Sequence, residues 1–295
     1  VRPDRAGRLR FRGRFPGEQG HWVRVAPPAG DSAPPIDFRL FSLAPDLFGR
    51  RPLKGDFHIH SHRSDGRESP AYVAAACRRI GLDFMAVTDH HRYAPSLEAR
   101  EAFASVATDL RIFPGEEVHP PDVPVHMVNF GGNLSVNALF KSARFRREAA
   151  RLAARLAASC APAVDPYQAA ACVWSCDRIR QAGGLAILCH PHWIAGCTYN
   201  VPAALNEWLF AHHPFDAFEL IGGFHRHELE SNQLQVAWYH DQRARGRCTP
   251  VIGASDAHGC ERGELFGWYY SIVFAAAPEQ LLESVRQGYS VAIEA

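Results

Sequence analysis

Residues Asp56–Gly66 read DFHIHSHRSDG: a short apolar run that ends in a His-x-His pair, His58 and His60, then turns through Asp65 and Gly66. Alternate side chains of an extended strand share a face. Both imidazoles therefore project to one side, close enough to bind a single ion. Working outward from this stretch, the same arrangement recurs. The predicted strand Phe84–Thr88 runs into Asp89, His90 and His91. Arg111–Pro114 leads to Gly115, Glu116 and Glu117, and His126 opens the next apolar stretch. The predicted strand Leu185–Cys189 ends in His190-Pro191-His192, and Thr249–Gly253 ends in Ser255-Asp256-Ala257-His258. A single histidine after a strand is usually structural. Repetition at the carboxyl end of five strands is not, because in α/β barrels that end is where sites are assembled.

Between these strands the pattern turns helical. Pro70–Ile80 has Ser69 as N-cap and Gly81 as stop, and further helices are predicted over Pro95–Ala107, around Val173–Ala182, over Glu230–Ala244 and from Pro278 to Arg286. Phe215–Ile221 adds one more strand. This alternation argues for an α/β barrel or an open parallel sheet. Val136–Leu156 reads as one helix carrying Lys141, Arg144, Arg147, Arg151 and Arg155 near one face, a solvated basic face or a surface that attracts phosphate.

The first fifty residues differ. Arg8–Phe15, His21–Val25 and Ile36–Leu43 alternate polar and apolar positions as strands with one buried face do, with PPAGDSAPP as a turn between the last two. The expected organisation is a small N-terminal β appendage and linker over 1–50, followed by a hydrolase domain over 51–295.

Composition narrows the function classes. With 295 residues, 47% hydrophobic and 21% charged, the chain is an ordinary globular one, and its formal net charge of +1 makes nucleic acid an unlikely partner. No apolar run is long enough to span a bilayer, so no membrane partner is expected. No secretory h-region follows Val1, and the missing initial Met suggests a processed, trimmed or partial chain. The eight cysteines are irregularly spaced, several in apolar runs, which favours reduced thiols and a cytoplasmic location. Oligomeric state is not legible. Histidine, present sixteen times and in clusters, is the telling residue.

Mixed imidazole and carboxylate donors without thiolate suit zinc, manganese or iron, and no CxxC pair announces a zinc finger. Two or three such ions, about 3.5–4 Å apart where a carboxylate is shared, activate water and stabilise a leaving oxygen.

In their order, HIHSHRSDG, VTDHH, PGEEVH, the isolated His126, CHPH and GASDAHG resemble the motif series of the PHP (polymerase and histidinol phosphatase) family, over roughly Lys54–Gly259. The β appendage leading into the first motif further resembles a subgroup that includes carbamate-hydrolase-like members. The resemblance implies a distorted seven-stranded (β/α) barrel with up to three metals. By position, one ion would be held by His58, His60, Glu117 and Asp256, and a second by Glu117, His126 and His190. A third would take Asp65, His90 and His258. Glu117 matches the family's glutamate, which stands two places after the glycine, here Gly115. The family often has histidine where this chain has Asp65, and often Asn in the stretch after Glu219, which here reads LIGG.

Asp256 and His258 are the candidates for managing protons. His91, His192, His225, Arg92 and Arg262 follow motif loops and are candidate substrate contacts, the arginines through charge-assisted bonds to phosphate. His119 and His227 are mouth histidines of the same kind, and Trp193 is either a pocket wall or a packed rim aromatic. The leading expectation is a phosphoesterase acting on a small phosphorylated molecule or nucleotide. Hydrolysis of an amide, carbamate or carboxylic ester is the alternative, since it uses the same activated water, and a non-catalytic metal-binding domain ranks below both.

Overall fold

The computed structural model of the protein describes residues 4–195, 198–223, 229–261 and 265–295. It divides into two compact units, Val1–Arg50 and Arg51–Ala295.

The first unit holds β1 (Gln19–Val25) and β2 (Ile36–Ser42), paired antiparallel from Gln19↔Ser42 to Val25↔Ile36, and a short helix α1 (Pro45–Phe48). The Pro-rich turn sits between the two strands, as expected. Arg8–Phe15 forms no strand. A lone hairpin has no second layer, and Trp22, Phe38 and Phe41 stay exposed, so the alternation has no core of its own to face.

Along the second unit the chain forms β3 (Arg51–Asp56), α2 (Pro70–Arg79), β4 (Phe84–Ala86), α3 (Ala94–Ala102), β5 (Arg111–Phe113), β6 (Gly115–Val118) and β7 (Met127–Phe130). There follow α4 (Val136–Leu139), α5 (Ala143–Leu156), α6 (Pro166–Gln181), β8 (Leu185–Leu188), β9 (Ile194–Ala195), β10 (Thr198–Tyr199) and α7 (Ala203–His212). The last elements are β11 (Ala217–Ile221), α8 (Leu229–Ala244), β12 (Val251–Gly253), β13 (Tyr269–Ala275), α9 (Leu281–Arg286) and β14 (Ser290–Glu294). The basic segment is two helices, not one. Ser135 and Ser142 each accept a hydrogen bond from a backbone N–H three residues on, and each starts its own helix.

The fold is mixed α/β. One five-stranded sheet has the order β14-β13-β3-β4-β5, the other β12-β11-β8-β7-β6. β3, β4 and β5 are parallel, as are β8, β11 and β12, but β6–β7–β8 run antiparallel and β13 opposes β3. The open parallel sheet that the alternation allowed is thereby corrected to a mixed one. Glu117 and Met127 are separated by a short loop with no crossover helix, and a connection that short permits only antiparallel pairing.

Nor does a continuous ladder close the sheets into a barrel among the described residues. Single backbone bonds past the strand ends join them instead. Glu117 N donates to Thr88 O (3.0 Å), Asp256 N to His58 O and His60 N to Ala257 O (both 2.9 Å), while Thr88 N to Ile59 O (2.8 Å) extends the β3–β4 pairing within one sheet. The faces that the sheets turn inward bury Phe57, Phe84, Phe130, Ile187 and Ile252, with Phe57 edge-on to Phe84 and Phe130 at 5.0 and 4.6 Å. This apolar floor lies directly below His58 in sequence and fixes the direction in which the next residues point. Gly55 is required here, since a Cβ would run into the Phe84 ring.

Candidate metal centre

His58 and His60 follow β3 in extended backbone, and Ile59 between them turns to the opposite side into the α2–α3 core. Period-two alternation thus does what the sequence requires of it. Both imidazoles are fully buried, with their Nε2 atoms 3.0 Å apart. Asp256 Oδ1 stands 3.2 Å from His58 Nε2 and 3.0 Å from His60 Nε2.

Glu117 is the centre of the cluster. It is fully buried, and Oε2 lies 3.5 Å from both His58 Nε2 and His60 Nε2 and 2.5 Å from His90 Nδ1. Oε1 lies 2.8 Å from His126 Nδ1 and 3.5 Å from His190 Nε2. Asp65 Oδ2 is 3.3 Å from His90 Nε2 and 3.3 Å from His258 Nε2. The nine residues selected from the sequence therefore converge in space. Donor atoms lie within 4.8 Å of one another in the groups His58–His60–Asp256, Glu117–His126–His190 and His60–Asp65–His90–His258.

The donors fit divalent cations. His58 Nδ1 faces Glu219 Oε1 at 2.7 Å and must donate to it, which leaves a lone pair on Nε2. His258 Nδ1 likewise donates to the Asp256 carbonyl at 2.8 Å and keeps its Nε2 lone pair towards Asp65. Both oxygens of Glu117 and Oδ1 of Asp256 are buried without a directed hydrogen bond. Lone pairs and carboxylate oxygens aimed at one another in a buried space are costly unless a cation lies between them.

The same electrostatics shift the protonation equilibria. Burial works against ionisation of Glu117, yet His58 and His126 hold its carboxyl well below the usual range. Burial opposes the charged form of Asp256 too, and His58 and His60 outweigh it, keeping the carboxyl low. Burial lowers His90, but Asp65 and Glu117 raise it to about 10. A histidine that holds a proton so firmly among carboxylates marks where a cation is wanted.

Three non-glycine residues at the rim, His91, His190 and Asp256, have left-handed backbone, with φ of 59°, 24° and 51°. Such residues cost about 1–3 kcal/mol each and persist where surrounding structure demands them.

The expected substrate contacts separate. His91 and Arg92 are exposed at the rim, and Arg92 lines a cleft with Arg63, Tyr93 and Glu98. His192 is a correction. It is buried, its backbone N–H donates to Gln235 Oε1, and its ring packs 5.3 Å from that of Trp238. The chain turns over at His190, so a residue two places on points into the α8 packing instead of the mouth. His225, His227 and Arg262 lie outside the described residues. Trp193 lines a small pocket with His190, Glu219 and Asp256, the wall position.

Three residues gain importance beyond the sequence reading. Glu219 supports His58 and also accepts from the His190 N–H at 2.8 Å. Its signal was an acid inside the apolar strand AFELI. His119 stands two places after Glu117, hence on the same face, with Nε2 2.9 Å from His90 Nδ1. Glu116 faces the other way and accepts from Ser135 Oγ and Asn137 Nδ2 at 2.8 and 3.0 Å, tying β6 to the start of α4.

No family model matches the chain. Over 84 residues, 27% of its length, it is 32% identical to the DNA polymerase/3'-5' exonuclease PolX of Bacillus subtilis (strain 168), of which this stretch covers only 14%. Its fold is similar to that of a two-domain protein from Bacteroides vulgatus containing a predicted PHP-like metal-dependent phosphoesterase, with a TM-score of 0.58, 20% identity, and coverage of 85% of this chain and 67% of that one. The fold is thus PHP-like, and the PolX match supports the resemblance of the motifs to the PHP family. A fainter likeness is to an amidohydrolase from Chromobacterium violaceum, with a TM-score of 0.47, 20% identity, and coverage of 71% and 89%. The PHP motif series and the cluster coincide residue by residue. Every motif quoted from the sequence contributes at least one donor atom to it. No helix among the described residues is long and apolar enough to cross a membrane.

Proposed function

We propose that this protein is a metal-dependent phosphoesterase of the PHP type acting on a small phosphorylated molecule, with two or three zinc, manganese or iron ions held by the nine clustered residues. The observation that carries the reading is Glu117, buried, without a directed hydrogen bond, and ringed by five imidazoles from four separate segments of chain. A carboxylate so placed is suited to serve two ions at once. When bound, divalent ions supply an activated water near neutral pH and positive charge for the leaving oxygen.

The chain's own residues provide the rest. Glu219 fixes the tautomer of His58, and the Asp256 carbonyl fixes that of His258. Asp256, which lines the same pocket as Trp193, and His258 two residues on would hold or pass a proton. Arg92, exposed at the rim, would meet a phosphate oxygen that is not reacting. The single backbone bonds between the sheets support reading β3, β4, β6, β7, β8, β11 and β12 as the seven members of a distorted barrel.

Manganese-loaded protein is assayed against p-nitrophenyl phosphate, a nucleotide monophosphate panel and p-nitrophenyl acetate. Phosphate release that disappears in His58→Ala supports the proposal. Cleavage of the carboxylic ester alone replaces it with the amide, carbamate or ester class.

A further inference from the structure

The motif series assigns nine of the clustered residues as ligands; His119, the last letter of PGEEVH, is not among them. It ends the run Glu116-Glu117-Val118-His119, and strand alternation carries its side chain to the side of Glu117. Two bonds hold it there. The His119 backbone N–H donates to Asn137 Oδ1 at 3.1 Å, and Asn137 Nδ2 donates to the Glu117 carbonyl at 2.8 Å, so α4 clamps the segment at both ends. The ring lies 3.8 Å from that of His126 and 4.2 Å from that of His91. Its Nε2 comes within 2.9 Å of His90 Nδ1 and 3.5 Å of Glu117 Oε2, and these three donor atoms form a group compact enough for one ion.

His90 is then claimed twice. Its Nε2 faces Asp65 and its Nδ1 faces Glu117 and His119. A neutral imidazole has one lone pair, so it can serve one of the two groups at a time. We infer that His90, Glu117 and His119 form a further divalent-metal site, which competes for His90 with the site of Asp65 and His258. A cation drawn away from the exposed Asp65 would thus meet a second set of donors on the Glu117 side of the same ring.

The inference rests on the metal reading above, and the experiment separates the two. Zinc stoichiometry is measured by equilibrium dialysis and mass spectrometry in the parent, in Asp65→Asn/His258→Gln, and in that variant with His119→Gln added. Cobalt absorption reports the ligand change. The expected result is that the double variant retains the parent's count with one ion held more weakly, and that adding His119→Gln removes one ion while the others stay. The ions that remain, together with far-UV circular dichroism, verify folding, and a single Asp65→Asn background repeats the comparison should the double variant fail to fold. A double variant that binds one ion fewer than the parent, or a count indifferent to His119, overturns the further site and leaves the main cluster standing. A parent that binds no ion overturns both.

Discussion

Glu219 Oε1 lies 2.7 Å from Nδ1 of His58, on the side of the ring opposite to the cluster. Both groups are buried. A carboxylate in this position orients the imidazole and makes its far nitrogen a better donor. Glu219→Gln keeps a carbonyl that accepts from Nδ1 but removes the charge. The expected outcome is a loss of metal affinity of about 10- to 100-fold with little change in fold. Competitive titration against a chromophoric zinc chelator measures it, and unchanged affinity would show that Glu219 serves only the packing.

Adjacent acids make the sharpest comparison. Glu117 faces the cluster, and Glu116 faces Ser135, Asn137 and Asn129. Glu117→Gln is expected to abolish binding of the ions it serves while the chain stays folded, because one buried charge facing several imidazoles disappears. Glu116→Gln is expected to keep the metal count and to lower stability by about 1.5–3 kcal/mol, the scale of a hydrogen bond to a charged group. Urea unfolding together with metal analysis distinguishes the two. Equal effects of the two substitutions would contradict the assignment by strand face.

Chelation should destabilise the protein. Ions bind the folded cluster and not the dispersed residues, so an ion at a hundred times its dissociation constant adds about 2.7 kcal/mol. For a domain of this size that corresponds to a fall in Tm of roughly 5–10 °C on removal. Differential scanning calorimetry before and after dialysis against EDTA tests this, and restoration by zinc or manganese must follow. An unchanged Tm would mean that the buried donors tolerate one another without a cation.

How far the site was legible depended on local rules. His58 and His60 share a face because extended backbone alternates, and no tertiary information was needed. Gly66 follows similarly, since a Cβ there would come within 2.8 Å of the His60 carbonyl. Strand ends were readable because the acids and histidines interrupt apolar runs. What was not readable is what depends on distant partners. The antiparallel β6–β7–β8 run came from loop length and sheet neighbours, not from periodicity. β13 hides in YYSIVFA, an apolar stretch whose type only its pairing with β3 decides. His192 looked like a second mouth histidine in CHPH, and the left-handed turn at His190 sent it inward.

His213 offers a test of buried titration away from the cluster. It caps α7 in left-handed backbone with φ of 54°, and Nε2 meets Thr249 Oγ1 at 2.5 Å. Burial lowers its pKa from the ordinary histidine value, so the fold prefers the neutral ring. In the unfolded chain the ring takes a proton near pH 6.5. Between the folded pKa and that value the unfolded state binds more protons, so the contribution to stability is complete above about pH 6.5 and declines as the pH falls. Asn tolerates left-handed backbone and does not titrate, so His213→Asn removes the dependence. Urea unfolding at pH 7.5 should find the variant less stable by about 1 kcal/mol, the scale of one hydrogen bond, and the difference should shrink at pH 5.5. Taking that difference at each pH cancels the loss of metal affinity that both proteins share in acid. A difference that stays constant would mean that the fold does not lower the pKa of this ring, and one that widens would mean that the fold favours its protonated form.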